Sequence, residues 1–148
     1  MRDVTLERIV ILIADDDADD RMFLEQALRQ AGFTHHICFV EDGEELLDYL
    51  YQRKTYSPAT APRPTLLILD LNMPRINGFQ ALKAIKDNPD FRRLPVVVMS
   101  TSTAEEDIMR SYNLGVNSFV IKPFNYNRLV EVIGALKTYW LETVKLPA

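Results

Sequence analysis

Five side chains that could take part in chemistry follow short apolar runs of this sequence. They are Asp15, Asp16, Asp70, Ser100 and Lys122. If the fold brings the carboxylates together, each like-charge pair at ~4 Å costs about 4 kcal/mol at an effective dielectric constant of about 20. Either one carboxylate then takes up a proton or a cation binds to the group. A small set of oxygen ligands suits Mg²⁺, which retains several of its waters.

Lys122 and Ser100 extend this hypothesis from a metal to an anionic ligand. The lysine supplies a positive charge, and the serine supplies a hydroxyl donor. Together with the carboxylates they describe a site for a tetrahedral dianion beside a metal, with Asp70 in reach as a nucleophile. Each residue taken alone has a simpler explanation, such as a capping aspartate or a surface lysine. The interpretation therefore depends on the whole set.

The apolar runs that precede these residues predict five buried strands. They cover 9–14, 37–40, 66–70, 95–99 and 118–121. The segments between them have helical periodicity, and this alternation predicts a doubly wound parallel α/β fold with helices on both faces of the sheet. In the strand order 2-1-3-4-5, one of the two common orders, the candidate side chains share one edge of that sheet.

Local signals predict where two of the helices begin. Asp17 is the predicted N-cap of the first helix, with Asp19 and Asp20 as solvated charges in its first turn. Segment 103–106 has the spacing of a capping box and predicts the start of the fourth helix. That helix carries the apolar side chains Ile108, Met109 and Tyr112.

Composition narrows the class of protein. The chain has 148 residues, of which 47% are apolar and 26% charged, as is typical of one globular domain. A net charge of −4 and the lack of a basic cluster argue against nucleic-acid binding. No apolar run approaches the roughly 18 residues of a membrane span, and the amino terminus lacks the apolar core of a signal peptide. With a single cysteine, Cys38, these features predict a soluble cytoplasmic protein that binds neither nucleic acid nor membranes.

The candidate residues lie in motifs that carry a family resemblance. The motifs are Ile13-Ala14-Asp15-Asp16, Leu69-Asp70-Leu71-Asn72-Met73-Pro74 with Asn77-Gly78, Met99-Ser100-Thr101, and Phe119-Val120-Ile121-Lys122-Pro123-Phe124. With these motifs in this order over about 8–136, the chain resembles a response-regulator receiver domain of the chemotaxis-receiver type. Such domains are the phosphorylatable modules of two-component signalling, and they have a flavodoxin-like fold.

The resemblance implies roles for the acidic residues. Asp70 would accept a phosphoryl group from a phosphohistidine of a partner histidine kinase. Asp16 and Asp70 would bind Mg²⁺ directly, and Asp15 would assist through a water molecule. The backbone carbonyl of Asn72 would be a further metal ligand.

The resemblance also implies roles for residues around the phosphoryl group. Ser100 and Lys122 would contact its oxygens, and the Lys122–Pro123 peptide bond would be cis. Phe119 lies where the family has an aromatic residue whose rotamer follows phosphorylation. With Ser100 it would form a two-state switch that responds to a local change of charge. The β-branched Thr101 would narrow the access of water to the site.

Two further segments resemble a subgroup of the family. A receiver domain over 8–138 would contain a Pro-rich loop extension at 51–64 and be followed by a helix extension and tail at 139–148, with no output domain. These features are similar to the small response regulators of bacterial phytochrome-type histidine kinases. Members of that subgroup tend to form homodimers through the fourth helix, fifth strand and fifth helix. Tyr139 and Trp140 are candidate anchors of an interface.

Two alternative functions stay open at this point. A phosphatase of the haloacid-dehalogenase type also uses an aspartate nucleophile and Mg²⁺, but it requires a second aspartate where this sequence has Asn72, and it has a cap domain. A pseudo-receiver would share the fold without being phosphorylated, but such proteins often lose the acidic pair and the lysine that this chain retains. The sequence thus favours a phosphoacceptor that signals through protein contacts over an enzyme.

Overall fold

The computed structural model describes residues 9–146. Its centre is a five-stranded parallel sheet with the order β2-β1-β3-β4-β5, which confirms the predicted fold class and strand order. The strands are β1 Val10–Ala14, β2 His36–Val40, β3 Leu66–Leu69, β4 Val96–Ser100 and β5 Ser118–Ile121. The helices are α1 Ala18–Gln30, α2 Gly43–Tyr51, α3 Gly78–Asp87, α4 Glu105–Asn113 and α5 Tyr126–Thr138. A π-helical turn, Tyr139–Thr143, continues α5.

Two apolar cores lie on opposite faces of the sheet, because successive side chains of a strand point to opposite sides. In β1, Ile11 and Ile13 belong to the core that includes side chains of α1 and α5, whereas Leu12 belongs to the core that includes those of α2 and α3. All five residues of β1 are buried, as expected for a strand covered on both faces. These two cores hold the sheet in place, so the carboxyl ends of its strands lie together at one edge.

The Pro-rich extension packs on the protein rather than projecting from it. The helix α2 includes Tyr51, so the loop begins one residue later than predicted, at Gln52, which ends the helix in a left-handed conformation. The Tyr49 hydroxyl donates to the Pro62 carbonyl oxygen at 2.7 Å, and Ala61 is buried in the core. The predicted domain limit at residue 8 and the end of the tail, 147–148, lie outside the described residues.

None of the helices within residues 9–146 is both long and apolar enough to cross a bilayer.

The β3–α3 loop, which follows Asp70, packs directly against the first turn of α2. A Cβ atom on Gly43 would overlap the backbone carbonyl of Ile76, so only glycine permits this approach. We expect Gly43→Ala to lower the free energy of unfolding by about 3 kcal/mol, because the backbone of the loop would have to move.

Gly134 in α5 has room for a side chain, since a Cβ atom there would meet only the Ala31 Cβ at 3.8 Å. Gly134→Ala should therefore raise that free energy by about 0.5–1 kcal/mol, and urea denaturation of both variants checks the pair.

Candidate functional site

The predicted acidic, hydroxyl and lysine residues converge at one edge of the sheet. Asp15 and Asp16 follow β1, Asp70 follows β3, Ser100 ends β4 and Lys122 follows β5. Carboxylate oxygens of the three aspartates lie within 4.8 Å of one another. The pairing of β1 with β3 brings the ends of those strands level, which explains why residues far apart in sequence meet.

Asp70 lies in a desolvated position beside a second carboxylate. Its side chain is 9% exposed, and its Oδ1 accepts a hydrogen bond of 3.3 Å from the backbone N–H of Asn72. Burial raises the pKa of the Asp70 carboxyl to about 6; the nearby Lys122 ammonium opposes this rise, whereas the charge of Asp15 adds to it. Asp70 is therefore a carboxylate with little water around it that is still ionised at neutral pH.

Asp15 is buried and firmly oriented, whereas Asp16 is exposed. Asp15 Oδ1 accepts the backbone N–H of Asp17 at 2.9 Å, and the Arg21 guanidinium donates to the Asp15 backbone carbonyl at 2.8 Å. Burial raises the pKa of the Asp15 carboxyl, although the hydrogen bond from Lys122 opposes that rise. Asp17 is the N-cap of α1, as predicted.

Lys122 bridges the cluster from the opposite side. Its Nζ donates to Asp15 Oδ2 at 2.9 Å and to Asp20 Oδ2 at 2.8 Å, and it lies 3.6 Å from Asp70 Oδ2. Burial disfavours the ammonium, but the hydrogen bonds with Asp15 and Asp20 outweigh it and raise the pKa of Lys122 above its usual range. The prediction that Asp20 is merely a solvated charge is wrong, because its carboxylate is part of the site.

The chemistry of these side chains fits a hard divalent cation. The three candidate ligands Asp15, Asp16 and Asp70 are all carboxylates, and Lys122 lies near two of them. Oxygen donors with surplus negative charge are what Mg²⁺ and similar ions bind in proteins. The backbone of Asn72 lies next to Asp70 through the N–H that it donates. The assignment of its carbonyl as a ligand stays a prediction.

Ser100 is fully buried at the end of β4, and its Oγ accepts the backbone N–H of Ser102 at 3.1 Å. The predicted capping box at Thr103 is wrong, since α4 begins at Glu105 and its N-cap is Ala104 without a side-chain bond. The Ser102 hydroxyl instead accepts the Ala104 N–H at 3.2 Å and donates to Asp107 at 2.7 Å. Ser102 thus bonds to residues at the start of α4, and it lies one residue before Thr103, the predicted cap.

Phe119 is half-buried on β5 and packs against the core that includes α2 and α3. Its backbone N–H donates to the hydroxyl of Tyr112 at 3.2 Å, so α4 covers part of this edge strand. Two apolar side chains of α4 are largely exposed, Met109 at 63% and Tyr112 at 49%. The helix packs on β5, an edge strand of the sheet, and leaves these two side chains open to solvent. The switching role of Phe119 stays a prediction.

The expected cis bond at Pro123 is wrong. All peptide bonds within residues 9–146 are trans, Lys122–Pro123 among them. An X–Pro bond prefers trans by about 0.5–1 kcal/mol unless its surroundings select cis, and the sequence does not contain that context. Lys122 reaches the carboxylates from the trans arrangement.

The carboxyl-terminal extension contains two aromatic rings that pack on each other. Tyr139 and Trp140 lie in the π-helical turn with their rings edge to face and 5.2 Å apart. Lys137 Nζ and Glu142 Oε2 form an ion pair of 2.6 Å across the junction with α5. Tyr139 is 52% exposed, and Trp140 is half-buried, so one of the two aromatic rings has a broad accessible face.

Comparisons with known proteins agree with this fold. The family model for the response regulator receiver domain matches residues 11–134. Response regulator Rcp1 of Synechocystis sp. is 38% identical over 141 residues, which cover 95% of this chain and 94% of the relative. Among solved structures, the phosphorylated cyanobacterial phytochrome response regulator RcpA has a TM-score of 0.89 at 38% identity, covering 95% of this chain and 99% of that chain. The Mn²⁺-bound form of Rcp1 has a TM-score of 0.86 at the same identity and coverage.

Proposed function

Because the chain belongs to the response regulator receiver domain family, we propose that it accepts a phosphoryl group on Asp70 from a phosphohistidine of a histidine kinase. The observation that carries this proposal is the position of Asp70, a desolvated carboxylate between two further carboxylates and the Lys122 ammonium. A relative with 38% identity is described in its phosphorylated form, which supports the same reaction here. The protein then signals through altered protein contacts.

In the proposed transfer, an Asp70 oxygen forms a bond to phosphorus while the bond from phosphorus to the histidine nitrogen of the kinase breaks. The raised pKa of about 6 leaves Asp70 ionised at pH 7 and above, and its burial leaves little hydration to remove. Lys122 and the hydroxyl of Ser100 are proposed to contact the phosphoryl oxygens, and Phe119 is proposed to respond to the new charge.

Asp15, Asp16, Asp70 and the carbonyl of Asn72 are proposed to hold Mg²⁺. A Mn²⁺-bound form of a relative supports a divalent cation at this site. When bound, Mg²⁺ supplies the positive charge that offsets the phosphoryl oxygens. We also propose a cytoplasmic location, where kinases of this class meet their ATP.

Intact-mass measurement after incubation with acetyl phosphate and Mg²⁺ tests the proposed function. We expect a gain of one phosphoryl group per chain, which chelation of Mg²⁺ with EDTA prevents. A pseudo-receiver would gain no mass under either condition. A phosphatase of the haloacid-dehalogenase type would instead release phosphate continuously from phosphate esters, so release of inorganic phosphate from p-nitrophenyl phosphate is followed in parallel.

We propose a phytochrome-type histidine kinase as the partner, because two relatives of nearly the same length are described as phytochrome or bacteriophytochrome response regulators. The test is phosphotransfer from a purified, autophosphorylated phytochrome-type kinase compared with a chemotaxis kinase at equal concentration. We expect transfer at least tenfold faster from the phytochrome-type kinase, a ratio that corresponds to about 1.4 kcal/mol. Equal rates would contradict this choice of partner.

We further propose a homodimer through α4, β5 and α5, with Tyr139 and Trp140 at its margin. Its support is the apolar surface of this face, since Met109, Tyr112 and Ile121 are 63%, 49% and 47% exposed.

Met109→Lys should convert the dimer into a monomer in sedimentation experiments, because the lysine would carry a charge into the interface. Met22→Lys on α1 is the matched control and should sediment like the wild type, since Met22 is similarly exposed at 46% but lies on another face. Monomers throughout, with and without beryllofluoride as a phosphoryl mimic, would contradict the dimer, as would a Trp140→Ala protein that dimerises more tightly than the wild type.

A further inference from the structure

Lys122 has two hydrogen-bonded carboxylate partners, and Asp70 is neither of them. Its Nζ lies 2.9 Å from Asp15 Oδ2 and 2.8 Å from Asp20 Oδ2, but 3.6 Å from Asp70 Oδ2. We propose that Asp20 is a positioning residue that holds the Lys122 ammonium away from Asp70 and so keeps the Asp70 carboxylate available to a divalent cation. The inference rests on the proposed function, because it concerns the same carboxylate site.

The Asp20 side chain does not cap the helix in which it lies. It lies in the first turn of α1, but the side chain of Asp17 caps this helix by accepting the backbone N–H groups of Asp19 and Asp20. The Asp20 side chain is 39% exposed and lines a groove of about 310 Å³ together with Thr101 and Lys122. A negative charge is favourable in the first turn of a helix, so the site tolerates an acid that does not cap.

The ammonium of Lys122 requires this second partner because its side chain is only 12% exposed. A buried charge is stable when it is paired and hydrogen-bonded. Asp15 and Asp20 occupy two of the three ammonium protons, and Asp70 is the next carboxylate oxygen at 3.6 Å. Without Asp20, the ammonium would move toward Asp70 to replace the lost hydrogen bond.

This movement would act against a cation in two ways. The ammonium would occupy lone pairs of Asp70 that a metal uses as ligands. It would also bring a positive charge nearer to the cation, and the repulsion grows as the distance falls. Asp20 thus promotes cation binding without being a ligand itself, and its effect passes through Lys122.

The experiment measures the dissociation constant of Mg²⁺ by isothermal titration calorimetry on the full chain. We expect Asp20→Ala to weaken Mg²⁺ binding about tenfold, which corresponds to about 1.4 kcal/mol. Asp19→Ala removes the same charge from the adjacent exposed residue and should change the constant less than about twofold, since exposed charges are screened by solvent and salt. Asp20→Glu should recover most of the affinity, because a longer carboxylate still reaches Lys122.

A double-mutant cycle with Lys122→Met separates positioning from simple attraction by a negative charge. In the Lys122→Met background, we expect Asp20→Ala to change the Mg²⁺ constant no more than Asp19→Ala does. The inference is overturned if the tenfold effect persists without the lysine, if the two alanine variants behave alike in the wild-type background, or if the wild type binds no Mg²⁺. Phosphorylation of the same samples by acetyl phosphate is recorded by intact mass. If the wild type is phosphorylated but Asp20→Ala and Asp19→Ala have equal Mg²⁺ dissociation constants, the inference alone is contradicted. If the wild type is not phosphorylated but Asp20→Ala selectively weakens Mg²⁺ binding, the proposed function alone is contradicted.

Discussion

Asp70→Asn is expected to abolish phosphoryl uptake and, at the same time, to stabilise the protein. The loss follows because the asparagine amide cannot form the acyl phosphate. The gain in stability follows from the environment of Asp70, whose carboxyl has a pKa of about 6 because it is buried beside Asp15. The difference between this value and the ordinary value of 3.8 corresponds to about 3 kcal/mol that the ionised side chain costs the folded state. Urea denaturation at pH 8 in EDTA should show the variant to be more stable by about this amount.

The stability gain should depend on pH with a definite sign. The pKa of Asp70 is higher in the folded protein, about 6, than its ordinary value of 3.8, so the folded state binds the proton more tightly. The wild type therefore loses stability relative to Asp70→Asn as pH rises from about 4 through about 6, and the difference is constant above that range. A difference that is independent of pH, or a variant that is less stable at pH 8, would contradict the assigned environment. Asp87→Asn, an exposed acid in α3, is the matched control.

Mg²⁺ is expected to stabilise the wild type strongly and to lose most of that effect in Asp16→Asn. A ligand at 100 times its dissociation constant adds about 2.7 kcal/mol to the free energy of unfolding when it binds the folded state only. Asp16 is exposed, so its removal leaves the core intact, but it takes away one of the three carboxylates of the cation site. Urea denaturation with Mg²⁺ and with EDTA measures the difference for each protein. Asp19→Asn should respond to Mg²⁺ as the wild type does, and an equal response of Asp16→Asn would contradict the site.

The convergence of the candidate residues could be predicted because the fold follows from simple patterns. Buried strands and intervening helices imply a parallel sheet, and side chains that follow parallel strands must meet at one edge. The positions of Asp15, Asp70 and Lys122 depend only on these rules, and the structure confirms them. Strand limits also agree with the prediction to within one residue, because buried apolar runs have clear ends.

The contacts that the sequence did not predict depend on how separate elements approach each other. Asp20 has an adequate local explanation as a first-turn acid, and only the approach of the β5–α5 loop to α1 places Lys122 against it. The trans isomer at Pro123 is likewise selected by its surroundings. The exposed stripe of α4 has helical periodicity, but periodicity does not tell whether a helix lies over the centre or the margin of a sheet. A search for acids one helical turn beyond the acidic pair would have identified Asp20 as a candidate.

Chemical mapping of the phosphoryl group tests the central claim most directly. The protein is treated with acetyl phosphate and Mg²⁺ and then with sodium borohydride, which reduces an aspartyl phosphate to homoserine, and its peptides are sequenced by tandem mass spectrometry. We predict homoserine at position 70 alone, in a fraction that matches the intact-mass gain before reduction. Homoserine at position 15, 16 or 20, or a phosphoryl group that resists reduction, would contradict the assignment of Asp70 as the phosphoacceptor.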